Sequence, residues 1–281
     1  RRREGRSREM TKDSERRATR GTADAVAHSG RLAGKNTVVI GGAGRIGKAI
    51  GREFVGAGAN VVLVDRRAEQ VRAAAESLAQ AGPGKCAAIA ADLGTPDDCE
   101  SLAEDCQKAM GRVDILVNCP GGIYREAFLD HPVDALGQLW DVNVRLPFMA
   151  CQVFGRIMKE RGSGKIINFA SVGGVRPEAT HAGYCAAKAG LIAFSRVAAM
   201  ELAPYNIQVN VVAPGPTETT PFTSPFYLEH PEVLRGIEER TPAGRIGHPE
   251  DHTGLVTFLA SDESNWITGQ VIMSDGGLGL V

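Results

Sequence analysis

The sequence predicts an α/β fold, a single Rossmann-type doubly wound domain built on a seven-stranded parallel sheet. From Gly34 onward short β-branched runs alternate with helical patterns, which is how a sheet covered by helices on both faces reads. A glycine-rich turn follows the first of those runs directly, and no repeat or linker divides what comes after. With 281 residues, 43% of them hydrophobic, the chain can bury one large core without a second domain.

The elements follow in order. Buried strands are expected at Thr37–Ile40, Asn60–Val64, Cys86–Ala91, Ile115–Asn118, Lys165–Phe169, Gln208–Ala213 and Gln270–Met273, each a short apolar run bounded by turn residues. Between them helices are expected near Ile46–Ala57, Ala68–Ala81, Pro96–Met110, Val133–Arg161, Tyr184–Ala203 and Pro249–Ala260. Thr95-Pro96-Asp97-Asp98 is a strong helix start, with a hydroxyl cap, proline at the first helical position and acids in the first turn. Pro147 is expected to break Val133–Arg161. Gly215–Gly247 is proline-rich and carries Phe222, Phe226, Tyr227 and Leu228; it reads as a long insertion with its own short helix, forming a substrate loop near 215–247.

Residues 1–30 are rich in Arg, Ser, Thr and Gly without an apolar period, and read as a disordered arm ahead of the domain at 31–281. A transit peptide is opposed by Glu4, Glu9, Asp13 and Glu15, and Met10 is an alternative start. Net charge is −1, but the first twenty residues hold nine Lys/Arg against four Asp/Glu, so the remainder carries −6 and has no general attraction for nucleic acid. The six cysteines form no C-x-x-C pair, which fits reduced thiols and a cytoplasmic location. No apolar stretch reaches membrane-spanning length, and the six histidines show no metal-ligand spacing.

Val38-Val-Ile-Gly-Gly-Ala-Gly-Arg-Ile-Gly47 places glycines between a strand and a helix. Glycines let the backbone approach a pyrophosphate, and a helix N-terminus supplies free N–H groups, so Gly41, Gly44, Arg45, Ile46 and Gly47 are candidate dinucleotide contacts. Asp65 closes the second strand, where a carboxylate accepts bonds from the adenosine ribose hydroxyls. It repels a 2′-phosphate and favours NAD. Arg45 and Arg66 are both placed where a guanidinium meets that phosphate, which leaves NADP open. Asp92, with Leu93 behind it, is a candidate for the adenine edge.

Tyr184 and Lys188 lie four residues apart, on one face of a helix, with Ser171 upstream. An ammonium beside a phenol favours the phenolate and draws its pKa down, making Tyr184 a general acid or base. Arg176 and His181 fall between Ser171 and Tyr184, where they meet either solvent or an acidic or hydroxylated substrate; His131 reads as a loop residue.

Assembled in this order, the motifs resemble those of the classical short-chain dehydrogenase/reductase family from Leu32 to Gly277. Asn118-Cys-Pro-Gly121 stands where the family has Asn-Asn-Ala-Gly; Asn143, Ser171, Tyr184 and Lys188 look like its catalytic set; Pro214-Gly215, followed by Thr217 and Thr219, resembles its nicotinamide-side motif. The resemblance implies that Asn118, Gly121, Pro214, Gly215, Thr217 and Thr219 meet the cofactor and that Lys188 also binds the nicotinamide ribose. It implies that Ser171 polarises the substrate oxygen, that Asn143 holds a water leading to Lys188, and that the chain is a homotetramer. The implied reaction interconverts a small-molecule secondary alcohol and ketone. Two departures stand out: Arg45 occupies a glycine position, and Cys119-Pro120 replaces Asn-Ala, removing an amide and an N–H donor. A 3-oxoacyl-carrier-protein reductase is the alternative enzyme, although Glu201-Leu-Ala-Pro-Tyr-Asn206 lacks an arginine to meet an acidic carrier. A silent dinucleotide-binding regulator is the non-enzymatic alternative, opposed by the retention of both Tyr184 and Lys188.

Overall fold

The computed structural model describes residues 30–219 and 229–281. The expected arm at 1–30 lies outside these residues except at its last position, and the aromatic cluster at 222–228 lies outside them entirely. Seven strands are present: β1 Asn36–Ile40, β2 Asn60–Asp65, β3 Cys86–Ala90, β4 Ile115–Asn118, β5 Gly164–Phe169, β6 Ile207–Pro214 and β7 Val271–Ser274. They form one parallel sheet in the order β3-β2-β1-β4-β5-β6-β7. The direction of progression reverses between β1 and β4, and a crevice opens there beyond the strands' carboxyl ends, the usual ligand position in such sheets.

Alternation along the strands sends neighbouring residues to opposite helical layers. Val39, Leu63, Ile115 and Ile167 pack with Phe54 of α1 (Arg45–Gly56), Leu78 of α2 (Ala68–Leu78) and Leu259 of α8 (Thr253–Ala260). Val38, Val62, Leu116 and Ile166 pack on the other face with Leu102 of α3 (Pro96–Met110) and Phe154 of α5 (Leu146–Arg161), and with Ala199 of α6 (Ala182–Leu202). Helix α3 starts as expected: Thr95 Oγ1 accepts from Asp98 N at 3.3 Å while Thr95 N donates to Asp98 Oδ2 at 2.8 Å.

The expected break at Pro147 does not occur. Helix α4 (Val133–Trp140) runs through a π-helical turn at Asp141–Arg145 straight into α5, with Pro147 as its second residue. Proline is tolerated in the first turn, and the wider π spacing has already changed the local pairing. The insertion has the expected short helix, α7 (Pro231–Arg240). Its ends are pinned together by a parallel bridge between Thr217 and Gly247, in which Gly247 N donates to Pro216 O and Glu218 N to Gly247 O, both at 2.8 Å. Among the described residues no helix is long and apolar enough to cross a membrane.

Candidate active site

A cleft of about 2110 Å³ follows the carboxyl ends of β1 to β6. At one end the glycine turn is shaped for close approach. Gly41 has φ +82°, and a Cβ there would lie 2.6 Å from Cys119 O; a Cβ on Gly47 would run into Gly41 O. Helix α1 opens on Gly44 with no side-chain cap and no acid in its first turn, so its leading amides face the cleft uncovered by side-chain acceptors. This cradle fits a pyrophosphate. Gly41, Gly44, Arg45, Ile46 and Gly47 all line it.

Asp65, Arg66, Asp92 and Leu93 line the adjoining adenosine end. Burial would raise the Asp65 carboxyl, but Arg67 grips it with Nε at 2.9 Å and Nη2 at 3.0 Å, and the amides of Arg67 and Ala43 add two bonds. The net effect holds Asp65 below the usual aspartate range. Arg67, two residues beyond the acid, takes this place, and not the Arg66 expected from the sequence. Arg45 does not stand clear for a phosphate: its Nη1 meets Glu218 Oε1 at 3.1 Å and Glu218 O at 3.2 Å, and Glu218 also holds His248 at 3.1 Å.

At the other end Ser171, Tyr184 and Lys188 come together on the cleft wall, with Gly121, Pro214, Gly215, Thr217 and Thr219. Ser171 follows β5; its Oγ accepts from Gly173 N at 3.1 Å, and its hydroxyl lies near enough to the Tyr184 phenol to favour the phenolate. Lys188 is 3% exposed and gives Nζ to Phe169 O at 2.8 Å. Gly174 allows this packing, since a Cβ there would lie 2.8 Å from the Lys188 backbone carbon.

The net shift of Tyr184 runs opposite to the one expected from the Tyr–Lys spacing, and Lys188 is not among the groups that set it. Burial pushes the Tyr184 phenol up, and the groups opposing it are the Ser171 hydroxyl and the charge of Arg125. Lys188 is committed to a carbonyl, with Nζ 6.0 Å from the ring centroid, and burial brings its own pKa down to about 8. Cys119, in the place of the resembled family's asparagine, has its thiol pushed up to about 12 by burial, against the nearby Lys188 charge.

Two candidates act behind the wall instead of on it. Asn118 is fully buried, donating Nδ2 to Asn168 Oδ1 at 2.8 Å, and Asn168 continues to Ser195 of α6 at 2.8 Å. It therefore ties β4 to β5 and α6, while its own Oδ1 has no partner among the described residues. Asn143 is likewise buried, its Nδ2 donating to Gly122 O at 3.0 Å and Leu139 O at 2.9 Å. Its side chain is spent on positioning the loop after β4. His131 packs edge-on to Tyr124 at 5.4 Å and under Gly183. Among the described residues no group of His, Cys, Asp and Glu side chains is arranged to hold a metal ion.

The chain resembles known proteins over most of its length. Residues 41–279 match the family model described as enoyl-(acyl carrier protein) reductase. The chain is 35% identical over 243 residues to an NAD-dependent glycerol dehydrogenase of Listeria innocua, covering 86% of this chain and 93% of that one. It is 38% identical over 253 residues to a 3-oxoacyl-(acyl-carrier-protein) reductase of Thermotoga maritima, covering 88% and 99%. Among solved structures, a 7α-hydroxysteroid dehydrogenase complexed with NADH and 7-oxo glycochenodeoxycholic acid superposes with a TM-score of 0.82 at 29% identity, covering 89% and 96%.

Proposed function

The chain belongs to the short-chain dehydrogenase/reductase family of NAD(P)-dependent oxidoreductases, and from that premise we propose that it interconverts a secondary alcohol and a ketone with Tyr184 as general acid/base. The observation that carries this is the convergence of Ser171, Tyr184 and Lys188 at the end of β5 and the start of α6, facing one cleft. Hydride exchange at the carbinol carbon is the chemistry that a bound nicotinamide would supply. The chain's own residues manage the proton and the oxygen. Tyr184 passes a proton to the carbonyl oxygen in reduction and removes it from the hydroxyl in oxidation. Because burial keeps the phenol protonated, Tyr184 rests as the acid. Ser171 donates to the same oxygen as charge develops there. Lys188 orients the ribose and feeds protons, with Asn143 holding the loop that shapes the route.

Glycine turn and Asp65 supply the cofactor subsite, and the ionised carboxylate at the adenosine end supports NAD over NADP. The exposed apolar side chains of α4 to α6, among them Trp140, Phe148, Val197 and Met200, support a homotetramer; six free thiols support a cytoplasmic location. The likeness to a 3-oxoacyl-(acyl-carrier-protein) reductase makes a 3-oxoacyl thioester the second substrate class to test. Tyr184→Phe tests the central assignment. Turnover should fall by at least about 10²-fold, the lower range for acid–base catalysis, while cofactor affinity measured by nicotinamide fluorescence stays within a factor of two. Retention of a tenth of the activity would remove Tyr184 from the role.

A further inference from the structure

The substrate end of the cleft is walled by two loops that the fold fastens to each other. One, residues 119–132, leaves β4; the other, residues 171–181, joins Ser171 to α6. Glu126 N donates to Thr180 O at 2.9 Å, and Arg125 Nε donates to His181 Nε2 at 2.8 Å. On its other side His181 Nδ1 lies 2.8 Å from Ala179 O. A carbonyl only accepts, so Nδ1 carries the proton and Nε2 is the lone pair that takes the Arg125 N–H. Thr180 sits at φ +66°, a left-handed conformation that a β-branched residue adopts only where its surroundings impose it. The Arg125–His181 fastening is therefore a built feature of the wall.

Arg125 lines the cleft and lies near enough to Tyr184 for its charge to act on the phenol, with the His181 and Tyr184 rings 6.4 Å apart. A second cation comes from the same pair of loops. Arg145 and Arg240, which also line the cleft, are paired with Asp141 and Glu178. Arg176 is not: it gives Nη1 to Leu278 O at 3.1 Å, and among the described residues no carboxylate is within ion-pair distance. One cleft-lining carboxylate, Glu239 of α7, is also without an arginine partner among the described residues.

We propose that Arg125 and Arg176 form an anion subsite beside Tyr184 that selects substrates bearing a carboxylate on the carbon chain of the reacting carbinol, namely hydroxy acids and the corresponding oxo acids. The proposal rests on the alcohol–ketone reading of Tyr184. The carboxylate is bound and unchanged. A planar guanidinium matches a carboxylate bidentately, and a neutral isostere brings no charge for that fork to meet.

The test uses the full chain with NAD⁺ and NADP⁺ on matched pairs: each enantiomer of 3-hydroxybutyrate against its methyl ester, and gluconate against its amide. We expect the acid to exceed its neutral partner by about 10²-fold in kcat/KM. Arg176→Gln, at an exposed position, should narrow that ratio at least tenfold, with Arg176→Lys in between. Arg125→Gln should narrow it too and move the alkaline limb of the pH–rate profile upward, since the charge favouring phenolate is lost. Calorimetric titration of the protein with 3-hydroxybutyrate supplies a readout apart from turnover, and the heat of binding should vanish in Arg176→Gln. Turnover of the neutral partners with a ratio near one, as would follow if Glu239 offsets the arginines, overturns the anion subsite and leaves the alcohol reading standing. Binding of 3-hydroxybutyrate without turnover of any alcohol would do the reverse. Absence of both removes the two together.

Discussion

Lys165 is the second residue of β5, at the end of the sheet opposite the cleft, 7% exposed, with Nζ donating to Asn265 Oδ1 at 2.8 Å and Ser264 Oγ at 3.1 Å. Burial brings it down to about 8, with Asp262 opposing and Lys35 assisting the shift. Between that value and the ordinary lysine pKa the unfolded chain holds a proton that the folded chain has lost. Stability therefore rises with pH across about 8 to 10.5, by at most about 1.4 kcal/mol per pH unit from this group. Urea denaturation of the wild type and of Lys165→Met at pH 7.5, 8.5 and 9.5 should show the upward slope reduced in the variant; equal slopes would mean that Lys165 titrates normally. Tyr184 and Lys188 were legible in the sequence because a spacing of four on a helix is local geometry. Arg125 was not, since its partner His181 lies 56 residues away and only the meeting of two loops makes the pair. The direction of the Tyr184 shift was missed for a related reason: spacing shows which groups are neighbours, whereas desolvation depends on everything that covers them.

Secondary elements were legible wherever a single segment determines them. Strands with continuous β-branched runs and helix α3 with its full cap appear within a residue or two of expectation. The π turn at Asp141–Arg145 was invisible, because what stabilises it is Asn143 reaching Gly122, a contact made by another element. The Thr95 cap yields a direct test. Thr95→Ala removes both the acceptor for Asp98 N and the reciprocal geometry, and should destabilise the protein by about 1 kcal/mol, lowering Tm by about 2–4 °C in calorimetry. Where β2 meets α2, Asp65→Ser should release Arg67 and leave it with Arg66 for a 2′-phosphate. The ratio of kcat/KM for NADP over NAD is expected to rise at least tenfold. A ratio unchanged by the substitution would show that the arginines do not read the adenosine end.

At the scale of the molecule, several of the apolar side chains left outside the core lie on α4, α5 and α6. Trp140 is 45% exposed although its ring packs on Gly190, and Phe148 is 42% exposed against Phe194. An isologous pairing of these helices would cover them. Light scattering at micromolar concentration should report an assembly larger than one chain, and Phe148→Glu should shift it towards smaller species; a monomeric wild type would end the argument.

The bridge between Thr217 and Gly247 makes the insertion a closed appendix whose two feet stand side by side on the end of β6. Doubling the length of a loop with fixed feet costs only about 0.6 kcal/mol in closure entropy. The length of chain strung between the feet therefore costs the sheet little, while its fixed contacts, Arg240 to Glu178 and Ala243 N to Gly276 O, have to be kept. A segment of another length and composition, transplanted from a relative at Thr217 and Gly247, should redirect which molecule is accepted while the hydride register stays as it was. Such a chain would behave as one engine with exchangeable front ends.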